Sequence, residues 1–390
     1  MDALTQPDSP FALNQDQRSM RDMMRDFAAD KVEPFAVEWD QNRHLPMDVV
    51  RETAELGMGG LYVREDVGGS GLSRLDSLVV FEALAQGCPA LSAFISIHNM
   101  VAWMIDVNGT EEQRRHWLPK MTAMDVVASY CLTEPGSGSD AAALKTKAVK
   151  DGNEYVLSGT KQFISGAGTN GLYAVMARTS DDGSRGVSCF LVEDGTPGLT
   201  FGPQEKKMGW HVQPTAQVIL DDCRVPPSNM LGGEGNGFRI AMSGLDGGRL
   251  NIGACSVGGA QLALEKAQAY ATERSAFGKP IGQFQATQFK LADMATELEA
   301  ARLMLYSAAA KLDAKSPDAT MACAMAKRFS TDTGSKVAND ALQIFGGYGY
   351  LADYGVEKIV RDLRVHQILE GTNEIMRVII ARAMEKEAAG

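Results

Sequence analysis

The stretch Tyr130-Cys-Leu-Thr-Glu-Pro-Gly-Ser-Gly-Ser-Asp140 divides the sequence into two kinds of pattern. Before it, residues 11–130 carry apolar side chains at helical spacing. After it, residues 131–230 show alternating strand patterns with turn signals such as Asp151-Gly152. From Gly237 onward the helical pattern returns. Because helices and strands are segregated along the chain, the sequence predicts an α+β multidomain protein and not a doubly wound sheet.

The pattern predicts a helical domain over residues 1–130, a β domain over 131–233 and a helical bundle over 234–390. The predicted helices are 15–39 with a break at Pro34, 47–56, a helix to Ala85 capped by Ser73, 90–108, 111–121 capped by Thr110, 250–274, 285–312, and a helix to Phe345 that begins at Ser316-Pro317 with the serine as N-cap and the proline in the first position. The predicted strands are 145–150, 154–158, 172–178, 187–192 and 216–220.

Composition excludes several classes of protein. The net charge of −11 gives no general attraction for nucleic acid. No apolar run approaches the length of roughly 20 residues that a membrane helix needs, so no membrane is expected. Residues 1–8 are acidic and lack an apolar core, which predicts a cytoplasmic, bacterial-type protein without a targeting segment, or a mitochondrial matrix protein if the chain is a processed eukaryotic one. The six widely spaced cysteines indicate buried thiols, and no metal-ligand spacing is present, so no metal site is expected.

One acidic residue is a candidate base. Glu370 lies in Arg361-Asp-Leu-Arg-Val-His-Gln-Ile-Leu-Glu-Gly-Thr-Asn-Glu-Ile-Met-Arg377, after two apolar residues and before Gly371. Thr372 or Asn373 can cap the helix that follows. Partly apolar surroundings raise the pKa of a carboxyl group and make it a usable base near neutral pH. On this stretch alone, an ordinary acidic residue near a helix start is the better interpretation.

Two glycine-rich loops are candidate ligand sites. Gly166-Ala-Gly-Thr-Asn-Gly171 matches G-x-G-x-x-G, but it leads into a predicted strand instead of a helix, so a Rossmann domain is rejected. The loop Tyr130–Asp140 can bring backbone N–H groups and hydroxyls against a flat polar heterocycle. A glycine- and serine-rich surface turn is the alternative for this loop if it is considered alone.

Four motifs together resemble one family. Cys131–Asp140, Phe163-Ile-Ser165, Gln343-Ile-Phe-Gly-Gly-Tyr-Gly349 and Ile368-Leu-Glu-Gly-Thr-Asn-Glu374 resemble signatures of the acyl-CoA dehydrogenase family, in that family's order and spacing. The resemblance covers almost the whole chain. It implies an N-terminal helical domain, a middle β-sheet or barrel domain and a C-terminal four-helix bundle. Details such as Leu245-Asp-Gly-Gly-Arg249 resemble members that act on short branched acyl-CoA thioesters, with isobutyryl-CoA preferred.

The resemblance also implies a chemistry. The family oxidises an acyl-CoA to its trans-2-enoyl-CoA: a base removes the α-proton while the β-hydrogen leaves as hydride to N5 of FAD. Glu370 matches the base, and its backbone N–H, with a ribityl hydroxyl of FAD, would polarise the thioester carbonyl. Some members carry the base at a position that matches Gly248 here. Since glycine offers no carboxylate, Glu370 is the only base in the pattern, and its interpretation as an ordinary acid is set aside.

Further roles are carried over by position. Thr133 and Ser165 match hydroxyl donors to the flavin ring, and Phe163 matches an aromatic residue against one flavin face, with a place in the β-domain core as its alternative. The full set of predicted FAD contacts is Tyr130, Cys131, Leu132, Thr133, Gly138, Ser139, Phe163, Ile164, Ser165, Arg274, Phe284, Gln285, Gln343, Ile344, Phe345, Gly346, Gly347, Thr372, Asn373 and Glu374. The predicted substrate contacts are Ser139, Asp246, Gly247, Gly248, Arg249 and Arg382, where a lone arginine is otherwise a solvated surface residue.

Partners follow from the same resemblance. Arg274, Phe284, Gln285 and Gln343–Gly347 match contacts to the FAD of a neighbouring subunit, which implies a homotetramer built as a dimer of dimers. Isobutyryl-CoA would give methacrylyl-CoA, a step of valine breakdown, and electrons would leave through an electron-transfer flavoprotein. The alternatives are a 2-methylbutyryl-CoA or butyryl-CoA dehydrogenase and, more remotely, an acyl-CoA-oxidase-like or DNA-associated flavoprotein of the same fold.

Overall fold

The structure is a computed structural model, and it describes residues 13–389. The expectation about a targeting segment concerns residues 1–8, which lie outside the described residues. The helices are α1 (Gln15–Phe27), α2 (Ala36–Asn42), α3 (Met47–Glu55), α4 (Arg74–Ala85), α5 (Pro89–Asn108), α6 (Glu111–Thr122), α7 (Gly237–Glu273), α8 (Gln285–Asp313), α9 (Ala319–Phe345), α10 (Val356–Arg364) and α11 (Asn373–Ala389). The predicted break near Pro34 is confirmed, because residues 28–35 leave the α conformation between α1 and α2.

Helix starts follow their local sequences where a capping box is available. Ser73 accepts a hydrogen bond from the backbone N–H of Asp76, and Thr110 accepts one from that of Gln113, so both predicted N-caps are confirmed. The predicted cap at Ser316 is wrong. The Ser316 hydroxyl donates to the Asp318 carboxylate, and α9 begins only at Ala319. The carboxylate takes the hydroxyl that would otherwise have capped the helix.

The strands are β1 (Ala128–Cys131), β2 (Lys147–Asp151), β3 (Glu154–Ser165), β4 (Leu172–Arg178), β5 (Val187–Glu193), β6 (Leu199–Phe201), β7 (Thr215–Val225), β8 (Met230–Leu231), β9 (Ser275–Ala276) and β10 (Lys279–Pro280). One sheet has the order β6-β7-β3-β2-β4-β5-β8, and β1 pairs parallel with β4. The predicted hairpin of β2 and β3 is confirmed. The sequence did not predict β1, β6 or β8–β10, because these strands are too short to show an alternating pattern.

The apolar cores tie the regions together. Helices α4 and α5 pack on α7, so the N-terminal and C-terminal helices share one core. The sheet has a core of its own around Tyr173 and Phe190. A third cluster joins α5 and α6 to strands β4 and β5 and includes Met100. The start of α7 therefore lies where the helical regions meet the sheet.

Helix α5 corrects the expectation about apolar runs. Pro89–Asn108 is long and apolar enough to cross a membrane by length and composition, but 83% of its most apolar window is buried inside the protein. A core helix of a globular protein has the same composition, and α5 packs on α4 and α7.

Helix α7 begins 13 residues before the predicted start at Leu250. The additional segment contains Gly244, Gly247 and Gly248, all of which are buried. Glycine is a poor helix former, which is why the pattern did not extend the helix upstream. Here the missing side chains leave room for neighbouring groups, and these groups form the site described next.

Candidate active site

Glu370 lies between the short 3-10 turn Val365–Gln367 and helix α11. Its backbone has a φ of +55°, which is uncommon for a residue with a side chain. One carboxylate oxygen, Oε2, is buried and has no hydrogen-bond partner within residues 13–389. A Cβ atom added at Gly248 would lie 2.6 Å from this oxygen. The alternative position for a base therefore faces the carboxylate of Glu370 directly.

The surroundings of Glu370 raise its pKa to about 7. The cause is burial, which disfavours the charged form, while the positive charges of Arg249 and Lys327 act in the opposite direction. A carboxyl group that titrates near neutral pH and has a free oxygen can take up a proton from a ligand placed beside it. The apolar flank recognised in the sequence is therefore one part of a larger burial by α5 and α7.

The segment around Glu370 is held through its backbone. The Lys327 ammonium donates to the carbonyl of Gly371 at 2.8 Å and to the side chain of Asn373 at 2.9 Å. Arg249 Nε lies 3.4 Å from the carbonyl oxygen of Glu370. The Thr372 hydroxyl accepts from the backbone N–H of Ile375, as predicted for a cap. These bonds fix the turn and leave the carboxylate itself unoccupied.

Lys327 was not recognised in the sequence. It is a fully buried lysine on α9, and burial lowers its pKa to about 8. The available signal was a single lysine within an alanine-rich, buried helix face, since such a charge is rare without partners. Its partners come from the Gly371–Asn373 turn, 44 and 46 residues further along the chain. Local sequence could not show that contact.

The glycines of α7 leave space for neighbouring side chains beside the carboxylate of Glu370. A Cβ added at Gly244 or Gly248 would meet the sulfur of Met100 at 3.5 and 3.2 Å, and one at Gly247 would meet Arg74 Nη1 at 2.4 Å. The Arg74 guanidinium in turn lies over the rings of Tyr62 and Trp103. These four side chains, Tyr62, Arg74, Met100 and Trp103, were also missed, because they come from separate N-terminal segments.

The predicted substrate contacts are only partly brought together. Asp246 and Arg249 form an ion pair at 2.7 Å beside Gly247 and Gly248, and the Thr320 hydroxyl donates to Asp246 at 2.8 Å. Arg249 is buried. Ser139 is exposed in the loop after β1, and Arg382 is exposed on α11. The roles of all these residues as substrate contacts remain predictions.

The loop after β1 is anchored by a buried ion pair. Lys161 Nζ lies 2.7 Å from Glu134 Oε1, and Glu134 also accepts from the backbone N–H groups of Lys145 and Thr146. The carbonyl of Thr133 accepts from the backbone N–H of Gln162 at 2.8 Å. The loop Tyr130–Asp140 is thus held against β3, so the alternative of a simple surface turn does not describe it.

Phe163 lies at an irregularity of β3. The pairing of β3 with β7 shifts between Lys161 and Ile164, and Phe163 has a φ of +59°. Its ring is 65% exposed, so the alternative of a β-domain core residue is wrong. The bulge turns the ring outwards, near the half-buried Ser165 at the end of β3. By contrast, Cys131, Leu132 and Ile164 are buried in apolar clusters, which leaves their backbone atoms as the groups that can contact a ligand.

These features fit a flat heterocyclic cofactor. A Cβ added at Gly136 or Gly138 would meet nothing within 4 Å, so this side of the loop is open. The exposed ring of Phe163 and the half-buried Thr133 and Ser165 supply a stacking surface and hydroxyl groups. Within the described part of the chain, no group of three or more His, Cys, Asp or Glu side chains could hold a metal ion.

Part of the second group of predicted FAD contacts lines a surface cavity, while Phe284, Gln285 and Gln343 are not among its lining residues. The cavity has a volume of about 370 Å³ and is lined by Arg274 and residues 344–347. Arg274 lies 5.5 Å from the ring centre of Tyr348. Phe284, at the start of α8, packs edge-on against Phe277, which is 97% exposed. Along α7, Arg274 follows Gly248 by roughly 39 Å at 1.5 Å per residue, so this group is remote from Glu370.

The residues after Glu370 differ in their surroundings. Asn373 is buried, and its amide donates to Thr331 at 3.0 Å and to Asp332 at 2.8 Å. The Glu374 side chain is 81% exposed. Tyr130 is half-buried, and its hydroxyl lies 3.4 Å from the carbonyl oxygen of Ala241 on α7. Contacts of these residues with a cofactor remain predictions.

Comparisons with known proteins agree along almost the whole chain. Three family profiles match: "Acyl-CoA dehydrogenase, N-terminal domain" over residues 14–125, the middle domain over 129–223 and the C-terminal domain over 235–385. The chain is 56% identical to an isobutyryl-CoA dehydrogenase of Dictyostelium discoideum, over 98% of this chain and 92% of that protein. It is 52% identical to the protein of the same name from Bos taurus, over 97% and 91%. The structure of butyryl-CoA dehydrogenase from Megasphaera elsdenii superimposes with a TM-score of 0.93 at 38% identity, over 96% and 100%.

Proposed function

The chain belongs to the acyl-CoA dehydrogenase family, and on that premise we propose that it oxidises a short branched acyl-CoA, with isobutyryl-CoA preferred, to the corresponding 2-enoyl-CoA. The enzyme is an FAD-dependent oxidoreductase, as are the members of this family. The relatives at 52% and 56% identity support the substrate, because both are isobutyryl-CoA dehydrogenases.

The single observation that carries the mechanism is the buried, unpartnered Oε2 of Glu370, in a carboxyl group with a pKa of about 7. This oxygen is free to take the α-proton of an acyl thioester that lies along the glycines of α7. Bound FAD supplies the acceptor for the β-hydrogen as hydride. Among the bonds of the described residues, the backbone N–H of Glu370 has no acceptor. That N–H is therefore available to polarise the thioester carbonyl and stabilise the enolate-like charge.

Other residues hold this arrangement. Arg249 and Lys327 bind the carbonyl oxygens of Glu370 and of the next residue, Gly371, and hold the turn that places the carboxylate beside Gly248. Glycine at position 248 leaves the space that the carboxylate occupies, because any Cβ there would come within 2.6 Å of Oε2. Thr133, Phe163 and Ser165 would contact the flavin ring, and Asp246 would lie on the path of the CoA thioester.

The substrate preference is tested by comparing kcat/KM for isobutyryl-CoA, butyryl-CoA and 2-methylbutyryl-CoA with a dye as electron acceptor. 2-Methylbutyryl-CoA has one methylene more than isobutyryl-CoA, which changes the free energy of binding by about 1–3 kcal/mol, so isobutyryl-CoA should lead it by roughly tenfold or more. Butyryl-CoA is an unbranched isomer of isobutyryl-CoA, so that comparison tests the shape of the pocket and not its volume. A higher value for butyryl-CoA or 2-methylbutyryl-CoA contradicts the proposed preference. An aerobic assay without added acceptor is the control for an oxidase, which would release peroxide.

We further propose a homotetramer in which Arg274 and the Gln343–Gly347 segment contact the FAD of a neighbouring copy. The distance along α7 between Gly248 and Arg274 supports this, and so do the exposed aromatic side chains Phe277 and Tyr350, which lie within three residues of Arg274 and of Gly347 in the sequence. Electrons would pass to an electron-transfer flavoprotein. Light scattering of the holoenzyme tests the assembly, and reduction of a purified electron-transfer flavoprotein tests the partner. The bacterial cytoplasm, or the mitochondrial matrix for a processed chain, remains the predicted location.

A further inference from the structure

The guanidinium of Arg74 is held between two aromatic rings. Its central carbon lies 3.7 Å from the ring centre of Tyr62 and 4.9 Å from that of Trp103. Both distances are within the range of a cation–π interaction, and a planar guanidinium is well suited to such stacking. The Tyr62 hydroxyl accepts a hydrogen bond from Asn251 of α7 at 3.1 Å. Tyr62 is therefore bonded to the same helix that faces Glu370, and Arg74 stacks on Tyr62.

Arg74 and Glu370 lie at neighbouring glycines. A Cβ added at Gly247 would come within 2.4 Å of Arg74 Nη1, and one at Gly248 within 2.6 Å of Glu370 Oε2. Consecutive Cα atoms are about 3.8 Å apart, so Arg74 and Glu370 meet α7 at adjacent positions, in directions that differ by about 100° around the helix. The charges of both groups also act on the hydroxyl of Tyr62, whose pKa burial raises. Tyr62 and the start of α7 are therefore the two features that connect Arg74 with Glu370.

The backbone of Arg74 is anchored independently of its side chain. It is the first residue of α4, directly after the N-cap Ser73. Its backbone N–H donates to Asp313 Oδ1 at 2.9 Å, and that of Leu75 lies 3.3 Å from the other oxygen of Asp313. A charged side chain whose backbone is anchored in this way and whose guanidinium stacks on two rings is held in one position, unlike a mobile surface group.

We propose that Arg74, Tyr62 and Trp103 form the closed end of the acyl pocket and that Arg74 limits the length of the acyl chain. This inference rests on the proposed function. A short branched acyl group ends before the guanidinium. A straight chain that extends further would have to place methylene groups against a cation or displace it from its rings, and either is unfavourable.

The test uses holoenzyme variants and two readouts. The first is kcat/KM for isobutyryl-, butyryl-, hexanoyl- and octanoyl-CoA with a dye acceptor. The second is binding of the same thioesters by calorimetry to Glu370→Gln forms, in which the chemistry does not proceed. Arg74→Ala should raise the ratio of hexanoyl-CoA to isobutyryl-CoA at least tenfold in both readouts. Arg74→Lys keeps the stem and the charge but loses the planar stack, so a smaller increase is expected.

The control is Arg185→Ala, since that side chain is 83% exposed and pairs only with Asp182 among the described residues. It should leave both ratios unchanged. FAD content and the melting temperature show whether each variant is folded. If Arg74→Ala does not fold, the ratios measured with Arg74→Lys decide whether Arg74 limits the length of the acyl chain. Equal ratios in wild type and folded Arg74 variants would overturn the proposal.

A second result would also overturn it. If Arg74 is a receptor for a carboxylate, wild type should bind glutaryl-CoA more tightly than isobutyryl-CoA, and Arg74→Ala should abolish that binding. The two proposals fail separately. Absence of turnover with every acyl-CoA would contradict the proposed function, while the binding ratios in the Glu370→Gln background would still decide the role of Arg74.

Discussion

Replacing Glu370 by glutamine should separate the chemical role of the carboxylate from the cost of its burial. The pKa of Glu370 rises from 4.5 to about 7 in the folded protein. One pKa unit corresponds to about 1.36 kcal/mol, so burying the ionised carboxylate costs about 3 kcal/mol once both states are ionised. The glutamine side chain carries no such charge. Glu370→Gln should therefore lose dehydrogenation, retain yellow FAD, and gain stability relative to wild type as the pH rises.

The direction in which pH changes the stability follows from proton binding. Because the pKa is higher in the folded state, the folded protein holds a proton that the unfolded chain releases between pH 4.5 and about 7. Rising pH through this window favours unfolding of the wild type. The cost amounts to about 1 kcal/mol at pH 5 and about 3 kcal/mol at pH 8. An unpaired glutamine amide adds a cost of its own, but that cost is the same at both values of pH.

The assay is the melting temperature of holoprotein at pH 5 and pH 8. With about 2.1 cal/mol/K per residue, the entropy of unfolding of the whole chain is roughly 0.8 kcal/mol/K. The difference in melting temperature between Glu370→Gln and wild type should thus be roughly 3 °C more favourable to the variant at pH 8 than at pH 5. The matched control is Glu55→Gln, which makes the same substitution at an exposed glutamate at the end of α3.

Two outcomes would refute the reasoning. A difference in melting temperature that does not change with pH would mean that burial does not raise the pKa of Glu370 in the free enzyme. Substantial residual turnover of isobutyryl-CoA by Glu370→Gln would remove this residue as the base. If Glu370→Gln loses turnover but its melting temperature differs from that of wild type by the same amount at pH 5 and pH 8, Glu370 remains the base. Only its elevated pKa is then rejected.

Three further predictions concern the surroundings. Gly248→Ala should lower kcat at least tenfold, because its Cβ would displace the Glu370 carboxylate, with little change in melting temperature; unchanged kcat contradicts this. Lys161→Met leaves Glu134 buried without its ion-pair partner, so we expect a loss of about 3–5 kcal/mol in stability, seen as a lower melting temperature. Arg274→Ala should weaken FAD retention during gel filtration, and full flavin occupancy in the purified variant would count against its predicted cofactor contact.

Short-range patterns determined most of the elements. The helical spacing, the serine and threonine caps of α4 and α6, and the turn between β2 and β3 each depend on residues within one or two turns of chain. For that reason the order of helices, strands and helices could be predicted from sequence. The position of Glu370 before a capped helix is also local, and so is the absence of a side chain at position 248.

Tertiary structure decided what those residues can do. The pKa of Glu370 depends on burial by α5 and α7, which the two apolar residues before it could not reveal. The first turns of α7 are helical despite their glycines, because Arg74, Met100 and Glu370 pack where side chains are missing. Arg74 becomes the end of a pocket only when α4 meets α7. Local propensity is a property of neighbouring residues, whereas burial, stacking and charge depend on segments that meet only in the folded chain.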